Sequence, residues 1–217
     1  MSLWLVIPAK ALDHGKGRLA GILMPTERHA LNREFLMHML SLAAIYSGIR
    51  HTVVVSACAE ALELAKARGA HALCETAPSD LNSALEQARA SIHALGAAEI
   101  LVAASDVPLA RADDFREMVD LGRSTARPVI ATDSVGTGTN ALYVPTALPM
   151  GFRFGAASCA LHQRAATLLG SPAAVVTNPY LAFDVDTPED YLKMPERWLT
   201  DALRSPCGDF IMASMKK

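Results

Sequence analysis

Cationic side chains are concentrated in one loop near the start of this chain of 217 residues. The stretch IPAKALDHGKGRLAG, residues 7–21, contains Lys10, Lys16 and Arg18 and a single aspartate. Because the whole chain has a formal net charge of −2, this cluster is a candidate local site for an anion. It is not a Walker A loop, since Gly17 stands where Ser or Thr is required, and GxGxxG is absent. A solvated basic loop is the alternative interpretation.

Three aspartates stand where apolar stretches end. Asp106 follows the run EILVAAS, and Asp184 and Asp186 alternate with apolar residues in LAFDVDTPEDY. Extended backbone would place Asp184 and Asp186 on one face, where two like charges repel unless a cation or a donor lies between them. Magnesium suits such a place because it takes one or two carboxylates and completes its shell with phosphate oxygens and water. The sequence therefore predicts a Mg²⁺ site, with capping of the turn at Pro108 as the alternative role of Asp106.

A second set of polar residues lies in DSVGTGTNAL, residues 133–142. A hairpin turn accounts for one of its glycines and gives no reason for two glycines followed by Thr139 and Asn140. Backbone without Cβ atoms can approach a phosphate or carboxylate closely, and the hydroxyl and amide can donate to it. In FRFGAASCALH, Gly155 precedes Ser158, the predicted N-cap of a helix whose N-terminus would favour an anion. Capping alone would also explain Ser158.

The rest of the pattern predicts the elements that position these loops. Apolar and β-branched runs predict strands at 3–9, 52–57, 99–105, 128–133 and 173–178. Helical periodicity predicts helices at 28–48, 59–69, 79–96 and 158–170. Thr187 is the predicted N-cap of a further helix that begins at Pro188. This alternation predicts an α/β fold with a mostly parallel sheet covered by helices on both faces, in which ligands bind at the carboxyl ends of the strands.

Composition excludes several classes of protein. Hydrophobic residues make up 51% of the chain, and we expect one globular domain over residues 1–217, with a loose tail from about 206. The net charge argues against a nucleic-acid-binding surface. No apolar run is long enough to span a membrane, so we expect a soluble, cytoplasmic protein. The four cysteines and seven histidines lack metal-binding spacing, and we predict no function for any of them.

Five motifs together resemble a known family. IPAKALDHGKGRLAGIL, AxDxPL at 104–109, GTGTNAL, FGxxSxxxH and DVDTPEDY are similar, in order and spacing, to the guanylyltransferases of deazaflavin coenzyme biosynthesis. These are 2-phospho-L-lactate guanylyltransferase and its phosphoenolpyruvate and 3-phosphoglycerate relatives. The resemblance covers about residues 3–193 and implies a Rossmann-like three-layer sandwich. It also implies transfer of GMP from GTP to a small phosphorylated acid, with release of pyrophosphate.

The resemblance implies roles for individual residues. Those implied at the triphosphate of GTP are Lys10, Lys16 and Arg18. Those implied as magnesium ligands are Asp106 and one of the late pair, Asp186 rather than Asp184. Those implied at the acceptor acid are Thr139, Asn140, Gly155 and Ser158. Asn82, in the segment LNSAL, is implied at the base or ribose, and the implied catalytic residues are Lys16, Arg18 and Asp106.

Two other functions remain open. One is a nucleotidyltransferase that acts on molybdopterin or a sugar phosphate, and the other is a nucleotide-binding regulatory protein without turnover. The family resemblance favours GTP, Mg²⁺ and a phosphorylated acid as partners, with neither nucleic acid nor membrane. It does not choose between the three acids. A mean hydropathy of +0.22 is compatible with a homodimer, although a large core explains this value equally well.

Overall fold

The sheet is the element that organises the chain. The computed structural model describes residues 2–13, 15–76 and 80–198, and within these ranges the strands form one seven-stranded sheet. The strands are β1 (Leu3–Pro8), β2 (Thr52–Ser56), β3 (His71–Cys74), β4 (Glu99–Ala103), β5 (Val129–Thr132), β6 (Thr139–Pro145) and β7 (Ala174–Val176). Their order is β3-β2-β1-β4-β6-β5-β7. Only β6 runs antiparallel to its neighbours, β4 and β5, so the mostly parallel sheet is confirmed.

Helices cover both faces of this sheet. They are α1 (Pro25–Tyr46), α2 (Ala59–Ala67), α3 (Leu81–Ala94), α4 (Ala112–Thr125), α5 (Ser158–Leu168) and the short α6 (Pro188–Lys193). Apolar side chains of α1, α2 and α4 form one core with one face of the sheet. Those of α3 and α5 form a second core with the opposite face. The predicted α/β three-layer sandwich is therefore confirmed.

Strand β1 illustrates why the central strands are apolar along their whole length. Leu5 and Ile7 belong to the core under α1, whereas Trp4 and Val6 belong to the core under α3. Each of these four side chains is at most 3% exposed. A strand buried on both faces has no polar positions in its sequence, so it appears as a continuous apolar run rather than as an alternating one.

Three regular elements are absent from the sequence prediction, namely β3, α4 and β6. Strand β3 is a four-residue edge strand with no fully buried residue, so it lacks a clear apolar pattern. Helix α4 opens with Asp113 and Asp114 and carries its apolar residues later. Strand β6 begins inside GTGTN, a glycine-rich stretch that predicts a loop. The helix predicted at 79–96 begins at Leu81 in the structure, and residue 79 lies outside the described residues. The tail predicted from about residue 206 also lies outside them.

The antiparallel strand β6 brings distant loops to one edge of the sheet. Strands β1 and β4 are parallel neighbours, so the loops that follow them leave from the same edge. Because β6 runs the other way, its first residues lie at that edge too. The N–H of Ala104 donates to the carbonyl of Asn140 at 2.8 Å, and Ala103 pairs with Ala141. Among the described residues, no helix is long and apolar enough to cross a membrane.

Candidate active site

A cavity of about 300 Å³ opens at this edge of the sheet. Its wall contains nine of the eleven residues predicted for the site: Lys10, Lys16, Asp106, Thr139, Asn140, Gly155, Ser158, Asp184 and Asp186. The loops after β1 and β4, the start of β6, the start of α5 and the segment before α6 all contribute. A volume near 300 Å³ is at the small end of the usual range for small-molecule sites. The fold therefore gathers residues that are up to 176 positions apart in the chain.

Lys16 is the cation at the centre of the charged part of the wall. Its backbone is left-handed, with φ of 59°, and its side chain is only 7% exposed. Its Nζ donates to Asp106 Oδ2 at 2.5 Å and to Asp186 Oδ1 at 2.9 Å. Burial opposes the charge on the ammonium, but the two carboxylates outweigh it and hold the pKa of Lys16 above its ordinary value. Lys16 is therefore a fixed positive charge at neutral pH.

The three aspartates lie close together around this lysine. Burial raises the pKa of Asp184, and the negative charges of Asp106 and Asp186 raise it further. Burial acts in the same direction on Asp186, but Lys16, Lys10 and Arg18 together outweigh it and hold the pKa of Asp186 below its ordinary value. The carboxylate of Asp106 contacts Lys16, so the alternative of a turn cap at Pro108 is not what the geometry shows. The alternation in LAFDVDTPEDY does place both late aspartates in the cavity wall.

The donor set fits a magnesium ion that would take only part of its shell from the protein. Within the described ranges, no group of three or more His, Cys, Asp or Glu side chains is close enough to hold a metal ion alone. Asp106 and Asp186 are nevertheless close enough to share one ammonium nitrogen. Mg²⁺ often takes one or two carboxylates and fills its other positions with phosphate oxygens and water. Two carboxylates in the wall of this cavity meet that requirement.

Lys10 and Arg18 add positive charge at the mouth of the cavity. Both side chains are exposed, and the charges of both lower the pKa of Asp186. Arg18 lies in a short 3₁₀ helix, Gly17–Gly21, outside the wall itself. Leu19 of this helix is fully buried in a small apolar cluster with residues of α1 and α6. That packing fixes the basic loop against the segment that carries the late aspartates.

The turn between β5 and β6 explains both of its glycines without a ligand. Gly136 has φ of +83°, a conformation that favours glycine. A Cβ on Gly138 would lie 2.6 Å from Asp133 Oδ2, because the Asp133 side chain folds back over the turn. The N–H of Thr137 donates to Asp133 Oδ1 at 2.8 Å. The expectation that a hairpin turn cannot account for two glycines is therefore wrong.

Thr139 and Asn140 are buried at the start of β6, and each has a partner in the protein. The Thr139 hydroxyl lies 3.1 Å from Nδ1 of His162, in α5. Asn140 Nδ2 donates to the carbonyl of Leu181 at 3.0 Å and lies 3.4 Å from Asp184 Oδ1. Asn140 thus ties the strand to the segment that carries the aspartates. Both residues contribute to the cavity wall.

Ser158 is the first residue of α5 and not its N-cap, which corrects the sequence prediction. The N-cap is Ala157, whose backbone is left-handed with φ of 55°. Gly155, with φ of +121°, precedes it in a conformation that L side chains rarely adopt. Ser158 is 1% exposed and lies in the cavity wall. Since its hydroxyl does not cap the helix, capping no longer accounts for a serine at this position.

Three consecutive backbone N–H groups in the irregular segment before α5 are each held by a side chain. The N–H of Phe152 donates to Glu86 Oε1 at 3.0 Å, and that of Phe154 donates to Asn82 Oδ1 at 2.7 Å. Between them, the N–H of Arg153 donates to His162 Nε2 at 2.8 Å. This segment makes no strand or helix bonds, so side chains replace them.

The amide of Asn82 is occupied on both sides by this segment. Besides accepting from the N–H of Phe154, it donates through Nδ2 to the carbonyl of Phe154 at 3.1 Å. Asn82 does not contribute to the cavity wall. Its role at the base or ribose of a nucleotide stays a prediction.

Sequence reasoning missed several side chains of the site. Residues in the wall without a predicted role include Asn32, Ser105, Asp133 and Phe154. Asn32 donates through Nδ2 to the carbonyl of Leu12 at 2.8 Å and so braces the basic loop from α1. His162 stands four residues after Ser158, which is the spacing of neighbours on one helix face. That spacing was the available signal that His162 lies beneath the cavity.

Comparison with known proteins gives one consistent result. The family model described as "Guanylyl transferase CofC like" matches residues 3–195. The chain is 38% identical to phosphoenolpyruvate guanylyltransferase of Chloroflexus aggregans, over 85% of this chain and 93% of that protein. It is 36% identical to 3-phospho-D-glycerate guanylyltransferase of Phenylobacterium zucineum, over 89% and 86%. It is 33% identical to 2-phospho-L-lactate guanylyltransferase of Methanothermobacter thermautotrophicus, over 88% and 82%.

A solved structure supports the fold independently of close sequence similarity. The crystal structure of a putative nucleotide-diphospho-sugar transferase from Desulfovibrio desulfuricans superposes with a TM-score of 0.69. The superposition covers 86% of this chain and 83% of that protein's chain, at 16% sequence identity. Identity this low bears on the architecture alone.

Proposed function

The chain belongs to the CofC-like guanylyltransferase family, and on that premise we propose that it transfers GMP from GTP to a small phosphorylated acid, releasing pyrophosphate. The observation that carries the proposal is the composition of the single cavity described above. Its wall combines Lys16, held between Asp106 and Asp186, with the hydroxyl-bearing residues Thr139 and Ser158. The charged residues suit a triphosphate with its cation, and the hydroxyl groups suit a smaller anion.

The basic loop is the proposed triphosphate site. Lys10, Lys16 and Arg18 offer three positive charges to an anion that approaches the mouth of the cavity. Asp106 and Asp186 would hold Mg²⁺, with Asp184 as a neighbouring carboxylate. When bound, the ion supplies charge neutralisation and orientation of phosphate oxygens. Lys16 contacts both proposed ligands, so it would lie beside the ion and add its own charge there.

The acceptor acid is proposed to bind across the start of β6 and the start of α5. The hydroxyl groups of Thr139 and Ser158 are donors for a carboxylate or a phosphate. Gly155 lets the backbone approach without a Cβ, and the dipole of an 11-residue helix favours a negative charge at its N-terminus. Asn140 is proposed to act beside them by holding Asp184 and the β6 backbone in place.

The chemistry needs no general base from the protein. The nucleophile is a phosphate oxygen of the acceptor, and a phosphomonoester loses its second proton near pH ~6, so it is already anionic at neutral pH. It attacks the α-phosphorus of GTP in line with the bond to the leaving pyrophosphate. The barrier is the approach of two anions, and Lys10, Lys16 and Arg18 lower it by neutralising charge and by positioning.

Pyrophosphate release tests this proposal directly. The protein is incubated with GTP and Mg²⁺ and with phosphoenolpyruvate, 3-phospho-D-glycerate or 2-phospho-L-lactate in separate reactions, with CTP and ATP as nucleotide controls. We expect release with GTP and one of the acids, and this result also names the acceptor. Release with CTP or ATP instead of GTP would contradict the nucleotide. Absence of pyrophosphate release with all three acids would contradict the proposal that the acceptor is one of these phosphorylated acids. Binding of GTP without turnover would then favour a regulatory protein.

The family resemblance also supports a place in deazaflavin coenzyme biosynthesis. The coenzyme would then be built from the guanosine diphosphate-linked acid that the reaction produces. A homodimer remains a prediction, which sedimentation of the purified protein would test.

A further inference from the structure

His162 is a buried group beneath the cavity that the proposed chemistry does not use. It is fully buried in α5, and its ring packs edge-on against Phe154 with centroids 4.9 Å apart. Both ring nitrogens have partners. Nδ1 lies 3.1 Å from the hydroxyl oxygen of Thr139, and Nε2 lies 2.8 Å from the backbone nitrogen of Arg153.

These two contacts fix the tautomer of the ring. A backbone N–H can only donate, so Nε2, which faces the N–H of Arg153, must be the unprotonated nitrogen. The proton of the neutral imidazole then lies on Nδ1 and is donated to the hydroxyl oxygen of Thr139. Burial, and secondarily the charge of Arg153, lowers the pKa of His162 to about 4, so the ring is neutral at pH 7.

The tautomer decides what the Thr139 hydroxyl can do. A hydroxyl has one hydrogen to donate and lone pairs to accept. With the His162 proton accepted, the hydrogen of Thr139 is left for another partner, and the side chain lies in the cavity wall. Among the described residues, His162 is the hydrogen-bond partner of this hydroxyl. An anionic oxygen in the cavity can accept from it, whereas a hydroxyl that faced the anion with a lone pair would repel it.

We infer that His162 is a positioning residue for the acceptor acid, because it makes the Thr139 hydroxyl a dedicated donor toward an anionic oxygen in the cavity. The same ring holds the N–H of Arg153 and so fixes the turn that leads through Gly155 to Ser158. Glu86 and Asn82 hold the neighbouring N–H groups of that segment, so the contact of His162 with Thr139 carries its positioning role. The inference rests on the proposed function, since it takes the acid to bind at Thr139.

Two substitutions that introduce the same amide group on side chains of different length separate the two contacts of His162. His162→Asn carries an amide near the position of Nδ1 and can still donate to Thr139. His162→Gln carries the same amide near the position of Nε2 and can still accept from Arg153. A hydrogen bond from the Thr139 hydroxyl to an anionic oxygen contributes roughly a factor of ten to binding, and His162→Gln removes the contact that holds this hydroxyl as the donor. We therefore expect KM for the acid to rise on the order of tenfold in His162→Gln and much less in His162→Asn, with KM for GTP unchanged in both.

A double-substitution cycle with Thr139→Val shows whether His162 acts through the hydroxyl. Thr139→Val alone should raise KM for the acid at least as much as His162→Gln does. Adding His162→Gln to Thr139→Val should raise it no further, because the hydroxyl through which His162 acts is gone. A residue with only a structural role would instead lower the melting temperature and add its effect independently.

The outcomes keep this inference apart from the proposed function. If the unmodified protein releases no pyrophosphate with any acid, the proposed function fails. If it turns over, three results overturn the role of His162: unchanged KM for the acid in His162→Gln, equal increases for GTP and acid, or additive effects in the cycle. His29→Ala, at a half-exposed position of α1 where the ring contacts Glu60 of α2, is the matched histidine control and should leave both KM values unchanged.

Discussion

The charged side of the cavity consists of residues that satisfy one another. A buried ammonium is costly unless it is paired, and Lys16 is paired with two carboxylates that would themselves repel if left alone. Lys16 and the two aspartates together carry one net negative charge, to which Lys10 and Arg18 add two positive charges nearby. A site with that balance tolerates both an anion and a divalent cation.

The role of Asp106 gives the sharpest prediction at the scale of single residues. Asp106→Asn keeps the shape of the side chain and removes its charge. We expect kcat/KM to fall on the order of a hundredfold or more, since electrostatic groups at a phosphoryl-transfer site have effects of that size. The melting temperature should change little, because Lys16 keeps its contact with Asp186 at 2.9 Å.

The measurement is pyrophosphate release beside a thermal unfolding curve for the same preparation. Asp113→Asn is the control, since it removes an exposed carboxylate at the start of α4 and should change neither quantity. If Asp106→Asn turns over at nearly the rate of the unmodified protein, the proposed role of Asp106 as a metal ligand is wrong.

The positions of several charged residues of the cavity could be predicted from the sequence because these residues follow apolar strands. Lys16, Asp106 and Asp186 were accessible because charged residues after apolar runs have few structural explanations. The contacts of His162 and Asn82 could not be predicted, because their partners are backbone groups and a hydroxyl elsewhere in the chain. Asn82 bonds to a residue 72 positions away, and no local pattern records such a contact.

At the scale of elements, one stripe of α3 organises the acceptor side. Asn82, Glu86 and Arg89 recur at spacings of four and three, so they lie on one face of the helix. They bond in turn to the backbone of Phe154, Phe152 and Met150. The Arg89 guanidinium also lies 4.0 Å above the ring of Phe152. The stripe holds an irregular segment in the extended form that leads to Gly155.

We predict that this stripe affects the acceptor acid more than the nucleotide. Asn82→Ala removes both hydrogen bonds to Phe154 and frees the turn before Ser158. KM for the acid should rise roughly tenfold, since two hydrogen bonds of about 1 kcal/mol each hold the turn. KM for GTP should stay within about a factor of two of the unmodified value, a change no larger than the loss of one weak contact would cause.

Steady-state kinetics with each substrate varied in turn measures this difference. Ser91→Ala, on the exposed side of the same helix, is the control for a general effect on α3. The opposite pattern, in which KM for GTP rises and that for the acid does not, would favour the predicted contact of Asn82 with the nucleotide.

The elements that escaped prediction are those defined by the sheet and not by their own pattern. Strand β6 is antiparallel between two strands that are otherwise members of a parallel sheet, and its first residues belong to a glycine-rich turn. The sequence shows the turn, but pairing with β4 decides that Thr139 and Asn140 are in a strand. Strand β3 is an edge strand with partial exposure, so its period carries little information.

At the scale of the whole molecule, polar groups are buried at both ends of β6. One end holds the pair of Thr139 and His162. At the other end, Glu99 is 3% exposed, accepts from Tyr143 at 2.7 Å and pairs with Arg123. Contact with Arg123 holds the pKa of Glu99 below its ordinary value. Folding therefore fixes one group as neutral and another as charged, and each couples stability to pH.

The histidine makes the fold less stable as the pH falls below about 6.5. In the unfolded chain a histidine binds a proton near pH 6.5, whereas His162 in the folded protein resists it until about pH 4. Protons thus favour the unfolded state within that window, and the loss of stability reaches at most roughly 3 kcal/mol at its acid end. Glu99 lowers the stability further only below the ordinary pKa of a glutamate, because it must then give up its charge.

Denaturant unfolding at pH 7, 6 and 5 measures the contribution of the histidine to stability in a range where the glutamate does not yet contribute. We expect the free energy of unfolding to fall over this range in the unmodified protein and to fall less steeply in His162→Asn. Parallel curves for the two proteins would mean that His162 takes up its proton at the same pH in the folded as in the unfolded chain, which would contradict the lowered pKa.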